Sequence, residues 1–265
     1  MQCLLALING CETDAASLRA ASALANSTGG NLTVALIRTA EALPIGTLDT
    51  VVMSNNSISA QEALTRGRAI YSDECGELSN CRLEEIDAAI PDTIERVSPY
   101  HDLIVVGRLS DREGPNALAF SAALWSGRCA VLVSPVSDNV QEPMQHVAVA
   151  WNGSAQAGRA LRAALPFLRQ ATEVSVLQRR GSAEDSGLKR YLATHGIKQV
   201  QFRNYGEARL TGRGWGRALL SETDAIGADL LVMGAYGHSR LREIVLGGAT
   251  REVMRDARLA VLLSC

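Results

Sequence analysis

Short, continuously apolar runs alternate with longer stretches of helical spacing along the 265 residues of this chain. The runs are Cys3–Ile8 closing on Asn9-Gly10, Asn31–Ile37, Leu103–Val106 between Asp102 and Gly107, and Ala130–Ser134; then Val147–Ala150 closing on Trp151-Asn152-Gly153, Glu173–Leu177, Asp229–Gly234 and Ala260–Ser264. Runs this short, apolar at nearly every position, fit strands buried on both faces of a parallel sheet. Between them, Asp14–Ser27 and Ala155–Gln170 repeat Ala, Leu and Arg at the spacing of a helix. Strands alternating with helices imply right-handed crossovers, and so an α/β fold with a mostly parallel sheet.

The order of these runs repeats itself. A strand ending in Asn-Gly opens each half, Asp-Leu-Ile-Val-Val-Gly in the first answers Asp-Leu-Leu-Val-Met-Gly in the second, and Ala-Val-Leu-Val-Ser answers Ala-Val-Leu-Leu-Ser at the close. The chain therefore reads as two copies of one domain, residues 1–138 and 145–265, joined by a linker over Pro135–Gln145. Within the first copy, Glu41–Arg68 reads as a long surface loop around Pro44, Gly46 and the Ser54–Ser57 stretch. In the second, Arg203–Gly216 holds four glycines with Arg209 and Arg213, and Arg217 just beyond; it reads as a mobile cationic connection, able to fold over a phosphate chain or a partner.

Composition is that of a globular protein, with 47% hydrophobic and 20% charged residues. No apolar run approaches the ~20 residues of a membrane span, and the apolar start Met1–Leu5 lacks the basic flank of a leader, so it is expected to be a first strand. The net charge of −2 is unevenly spread: residues 146–265 carry 17 Lys and Arg against 10 Asp and Glu, and the first half is acidic. A basic half suits a phosphate-bearing ligand, and equally suits a differently decorated solvated surface. Its cations are not interleaved with aromatics, which argues against a nucleic-acid platform. Six cysteines show no CxxC and no metal-like pairing with the four histidines, so they read as reduced core or surface thiols in a cytoplasmic protein.

Candidate chemistry concentrates after the Asp229–Met233 strand. Gly234 and Gly237 follow it directly, and a second pair, Gly247 and Gly248, precedes Ala249 and Thr250 at the expected start of a helix. Glycines after a buried strand let backbone N–H groups approach an anion that a Cβ would hold off. A helix start adds unpaired N–H donors and the positive end of its dipole. Two such turns can close on one phosphate chain.

This spacing (Gly234, two residues, Gly237, nine residues, Gly247, one residue, then Ala249 and Thr250) resembles the nucleotide-binding motif of the universal stress protein family. The resemblance implies two tandem Rossmann-like, HUP-type domains, each a mostly parallel five-stranded sheet flanked by helices. It further implies a stress-response sensor or regulator that binds ATP, or AMP or ADP, in its C-terminal domain, with Mg²⁺ arriving only with the nucleotide. The site would comprise Trp151, Asn152, Met233, Gly234, Gly237, Arg240, Gly247, Gly248, Ala249 and Thr250. Two departures stand out. The family places Ser or Thr directly after the third glycine, where this chain has Gly248; and it places an acidic residue at the end of the first strand, where this chain has Asn152. Trp151 could stack on a purine or occupy its place.

The first copy lacks a second glycine pair, and Asp111 and Glu113 follow its Gly107, so it is expected to keep the fold without the site. There is no Gly-Lys-Ser/Thr loop, G-x-S-x-G elbow or H-E-x-x-H, so catalysis beyond weak ATP hydrolysis is not expected. The expected partners are an adenine nucleotide and, within one chain, the other copy in a pseudo-dimer, with a homodimer also open; no nucleic acid and no membrane. The alternative reading is an interaction protein of the same fold that binds no nucleotide.

Overall fold

The computed structural model describes residues 1–37, 60–108, 115–134, 144–180, 185–207, 210–235 and 248–265. The first half contributes β1 (Cys3–Ile8), α1 (Asp14–Thr28), β2 (Asn31–Ile37), α2 (Ala60–Cys75), β3 (Cys81–Ile86), α3 (Ile90–Val97), a 3-10 turn (Ser98–Tyr100), β4 (Leu103–Val106), α4 (Pro115–Ser126) and β5 (Ala130–Val133). The second contributes β6 (His146–Ala150), α5 (Ala155–Gln170), β7 (Glu173–Arg179), α6 (Ser186–Thr194), β8 (Val200–Tyr205), α7 (Gly212–Ala225), β9 (Leu230–Gly234), α8 (Gly248–Asp256) and β10 (Ala260–Ser264). Each half thus supplies five strands, the four that the apolar runs predict and one more (β3 and β8), and the fold is α/β with helices flanking a mostly parallel sheet.

The chain divides into two compact units, Gln2–Arg128 and Cys129–Cys265, the latter also taking Met1. In the first the strands run β3-β2-β1-β4, all parallel. In the second the order is β5-β10-β9-β6-β7-β8, parallel except where β5 pairs antiparallel with β10, Leu132 opposite Leu262. The strand that ends the first half in sequence therefore packs with the second unit.

Burial follows the sequence pattern. Leu103–Val106 and Ala130–Val133 are buried at every position, as strands covered on both faces must be. β3 and β8 carry charged residues and are largely exposed, consistent with their outer places in each strand order. The repeat extends to side-chain detail. Asp102 Oδ2 accepts the backbone N–H groups of Gln2 (2.7 Å) and Cys3 (3.1 Å), and Asp229 Oδ2 accepts those of Gln145 and His146 (both 2.8 Å). The Gln2 N–H holds the Asp102 carboxyl below the usual carboxylate range.

Two expected loops are partly helical. Residues 60–68 of the stretch read as a loop belong to α2. The glycine-rich segment before the last long helix contributes Gly212, Gly214 and Gly216 to α7 itself. Its packing explains why: the Arg179 guanidinium lies 4.5 Å from the Trp215 ring centroid, and Trp215 meets Tyr205 edge-on at 5.7 Å. An indole buried on the segment fixes what the glycine count suggested was free. No helix among the described residues is long and apolar enough to cross a membrane.

Candidate functional site

The C-terminal ends of β6 and β9 lie side by side, with Ala150 in register with Met233, so Trp151, Asn152 and Gly234 follow adjacent strand ends. Gly234 presses on the first turn of α5; a Cβ there would stand 2.5 Å from the Ala157 nitrogen. Met233 is buried in the sheet beneath. The polar candidate at this crest, Asn152, is committed locally. Asn152 Oδ1 accepts the Ser154 N–H (3.1 Å) in a side-chain-closed turn, and Ser154 Oγ in turn caps α5 by accepting the Ala157 N–H (3.2 Å).

Trp151 is turned toward α6. Its indole N–H donates to Asp185 Oδ2 (2.9 Å), while Asp185 Oδ1 caps α6 by accepting the Leu188 N–H (3.0 Å). These two donors, Leu188 first, hold the Asp185 carboxyl below its ordinary range. The indole lines a cavity of about 250 Å³ with Leu161, Arg162, Asp185, Leu188 and Tyr191, on the α5–α6 side.

The start of α8 carries Gly248, Ala249 and Thr250, the threonine 4% exposed. This end meets the start of α7. A Cβ on residue 248 would lie 2.8 Å from Gly212 Cα, 2.9 Å from its carbonyl carbon and 3.0 Å from the Arg213 nitrogen. One turn on, a Cβ at Gly216 would lie 2.6 Å from Glu252 Cβ and 2.8 Å from the Ala249 oxygen. Gly248, which departs from the family motif, is thus the residue that lets two helix N-termini touch. Neither helix has an acidic residue in its first turn, and Thr211, which precedes α7, makes no side-chain cap. Two positive dipole ends thus converge with no acidic side chain in either first turn. Farther along, the buried Glu252 carboxylate is held by Arg217 (3.1 Å) and Arg255 (2.7 Å). Gly237, Arg240 and Gly247 lie outside the described residues.

The crest of the first unit is filled. Asp14, fully buried, accepts the N–H groups of Asn9 (2.9 Å), Gly10 (2.7 Å) and Cys11 (3.1 Å) on one carboxylate oxygen. Burial pushes its carboxyl above the ordinary range against the pull of those donors. Asn116 on α4 accepts from Asn9 Nδ2 (2.9 Å) and donates to Thr13 Oγ1 (2.6 Å). Gly10, at φ 81, carries α2 directly on it: a Cβ there would fall 2.2 Å from the Ala63 oxygen. The backbone N–H groups at this strand end already hold a carboxylate. Asp14 stands five residues beyond Asn9, and the residue five beyond Asn152 is Ala157, so the second unit has no such internal anion. The missing glycines led to the expectation of a first half without the site; they did not point to Asp14 at this crest.

Comparison with known proteins places this geometry. The sequence model described as the Universal stress protein family matches residues 143–264. A curated relative, the universal stress protein Slr1230 of Synechocystis sp. (strain ATCC 27184 / PCC 6803 / Kazusa), is 53% identical over 34 residues; that match spans 13% of this chain and 12% of the relative. Among solved structures, a universal stress protein from Archaeoglobus fulgidus DSM 4304 superposes with a TM-score of 0.68 at 16% identity, over 99% of this chain and 95% of its own. A structure of the same type from Pseudomonas aeruginosa UCBPP-PA14 gives 0.62 at 13% identity, over 100% and 93%. At these identities the structures speak for the fold, and the sequence match speaks for the family. Residues 143–264 thus form a domain of the universal stress protein family.

Proposed function

We propose that this protein is a stress-response regulator of the cytoplasm whose C-terminal half, residues 145–265, binds ATP or another adenine nucleotide, while the half over residues 1–138 keeps the fold without the site. The observation that carries this reading is the contact of the α7 and α8 N-termini through Gly212 and Gly248, with no acidic side chain in either first turn. A polyphosphate there gains unpaired N–H donors and two helix dipoles, each worth about 0.3–1 kcal/mol per charge. In this reading Gly234, Ala249 and Thr250 line the phosphate path beside Gly248, and Gly237, Arg240 and Gly247 complete it. Any Mg²⁺ enters with the nucleotide. Met233, Trp151 and Asn152 border the base and sugar. Binding alters a surface that a partner reads. The two halves act as a pseudo-dimer within one chain.

Thermal denaturation with millimolar ATP and Mg²⁺ tests this. The expected result is a rise in melting temperature that disappears in Gly237→Val; an unchanged melting temperature at saturating nucleotide refutes it. A second reading is favoured by the crest of β6. Asn152 spends its carbonyl on a turn and Trp151 is tied to Asp185, so neither presents a charged acceptor to a ribose. An interaction protein holding only an inorganic anion would respond to pyrophosphate as strongly as to ATP.

A further inference from the structure

In the first unit the helices that follow the first two strands, α1 and α2, pack directly on one another; their counterparts in the second unit, α5 and α6, scarcely meet. Between them lies the cavity of about 250 Å³ that Trp151 borders. Helical spacing builds its walls. Gly158, Leu161 and Arg162 stand at i, i+3 and i+4 on α5, and Asp185, Leu188 and Tyr191 follow at three-residue steps from the cap of α6. Leu161 and Leu188 are buried, and with the Trp151 and Tyr191 rings they give the cavity an apolar lining. The Tyr191 ring is braced edge-on by His195, their centroids 4.5 Å apart.

Two opposite charges are set into this lining. Arg162 and Asp185 form no ion pair with each other, and among the described residues the Arg162 guanidinium has neither a hydrogen-bond nor an ion-pair partner. Asp185 is already oriented, by the Trp151 indole N–H on one oxygen (2.9 Å) and the Leu188 N–H on the other (3.0 Å), and each carboxylate oxygen can accept again. Gly158 is the third sign. Glycine inside a helix is disfavoured relative to alanine, and packing does not require it here, since a Cβ would meet only an Arg162 nitrogen at 3.6 Å. What the glycine preserves is open space beside the guanidinium.

We propose that this cavity binds a free α-amino acid with an apolar or aromatic side chain, its carboxylate on Arg162, its ammonium group on Asp185, and its side chain against Trp151, Tyr191, Leu161 and Leu188. A guanidinium pairs with a carboxylate through two parallel hydrogen bonds. An ammonium group beside an indole and a carboxylate gains from both. A ligand with a single charge would leave one of the two poles without its complement, so the lining selects a zwitterion. The volume lies below the range of about 300–1,000 Å³ usual for drug-sized ligands and suits one amino acid. The α7 and α8 starts contribute nothing to this lining, so the inference goes beyond the nucleotide reading and is tested without nucleotide.

The test titrates the full chain, labelled with nitrogen-15, with L-phenylalanine and follows the indole N–H resonance of Trp151, identified by its loss in Trp151→Phe. That resonance should move to saturation at millimolar L-phenylalanine or below. Phenethylamine and phenylacetate, each lacking one of the two charged groups, should bind about tenfold or more weakly, and Arg162→Gln should lose affinity for L-phenylalanine by a similar factor. Gly158→Leu fills the cavity and should abolish the response. Gly158→Ala should weaken it while melting above the parent, which separates lost binding from lost folding. An unmoved resonance at millimolar L-phenylalanine, equal binding of the two single-charge analogues, or undiminished binding in Gly158→Leu overturns the proposal. Adenosine moving the resonance where L-phenylalanine does not overturns it as well.

Discussion

Replacing Gly248 by serine restores the residue type usual in the family and is expected to damage this protein. A Cβ at that position meets three backbone atoms of the α7 start at 2.8, 2.9 and 3.0 Å. Carbon atoms prefer separations of about 3.5–4.0 Å, so the helix ends must part by roughly half an ångström or more. The obstructing atoms are main chain and cannot rotate away, and the Gly216–Glu252 contact one turn on resists the shift. Overpacking of this kind costs about 1–3 kcal/mol. For a chain of this size each kcal/mol lowers the melting temperature by about 2–4 °C. Scanning calorimetry on Gly248→Ala and Gly248→Ser should therefore show losses of roughly 3–10 °C. Gly158→Ala is the control. A Cβ there meets only an Arg162 nitrogen at 3.6 Å, and alanine inside a helix is favoured over glycine by about 0.5–1 kcal/mol, so this variant should melt higher. If Gly248→Ala melts with or above the parent, the α7–α8 contact is not the constraint described. The nucleotide response of Gly248→Ala, measured below its melting range, should fall in parallel, since the two dipole ends no longer converge.

Four other outcomes follow from the structure. Asp14→Ala leaves three buried backbone N–H groups without their acceptor and should cost on the order of 3 kcal/mol or more in urea unfolding; a loss under 1 kcal/mol would show that water replaces the carboxylate. Because burial raises the Asp14 carboxyl in the folded state, its contribution is fully present below the unfolded value of 3.8 and is lost as pH rises through the folded one; the stability of the parent relative to Asp14→Asn should decline as pH rises from 3.8 through the folded value, and a rise would reverse the assignment. Asp185 is the opposite case: its depressed carboxyl supports the Trp151 contact above the unfolded value, and the contact is lost as pH falls through the lower folded value. Acid should therefore change Trp151 fluorescence in the parent and leave Asp185→Asn flat, with Trp151→Phe identifying the signal. Finally, Arg179→Met removes the cation over Trp215 and should destabilise by about 0.5–2 kcal/mol, read as a lower urea midpoint; no shift would mean that the indole holds α7 unaided.

What the sequence determined is the alternation and its repetition. Buried parallel strands cannot hide polar residues on either face, so Leu103–Val106, Ala130–Val133 and Leu230–Met233 announce themselves; and Asp102 and Asp229, standing before equivalent strands, do equivalent work. β3 and β8 were silent because strands at the outer places of the order carry Arg, Glu and Asn on exposed positions, leaving no apolar run to read. Glycine spacing drew attention to Gly234 and Gly248, but spacing does not say what a glycine approaches. Only the packed chain shows that Gly248 is small because Gly212 lies against it, that an arginine and an indole hold the glycine-rich segment, and that Asp14 takes the donors at the first crest. Periodicity is a local property, written in the spacing of neighbours along the chain. Which backbone a hydrogen in place of a Cβ admits, as where Gly248 meets Gly212 or Gly10 meets Ala63, is a contact between residues far apart in sequence, and it exists only once the helices have settled on the sheet.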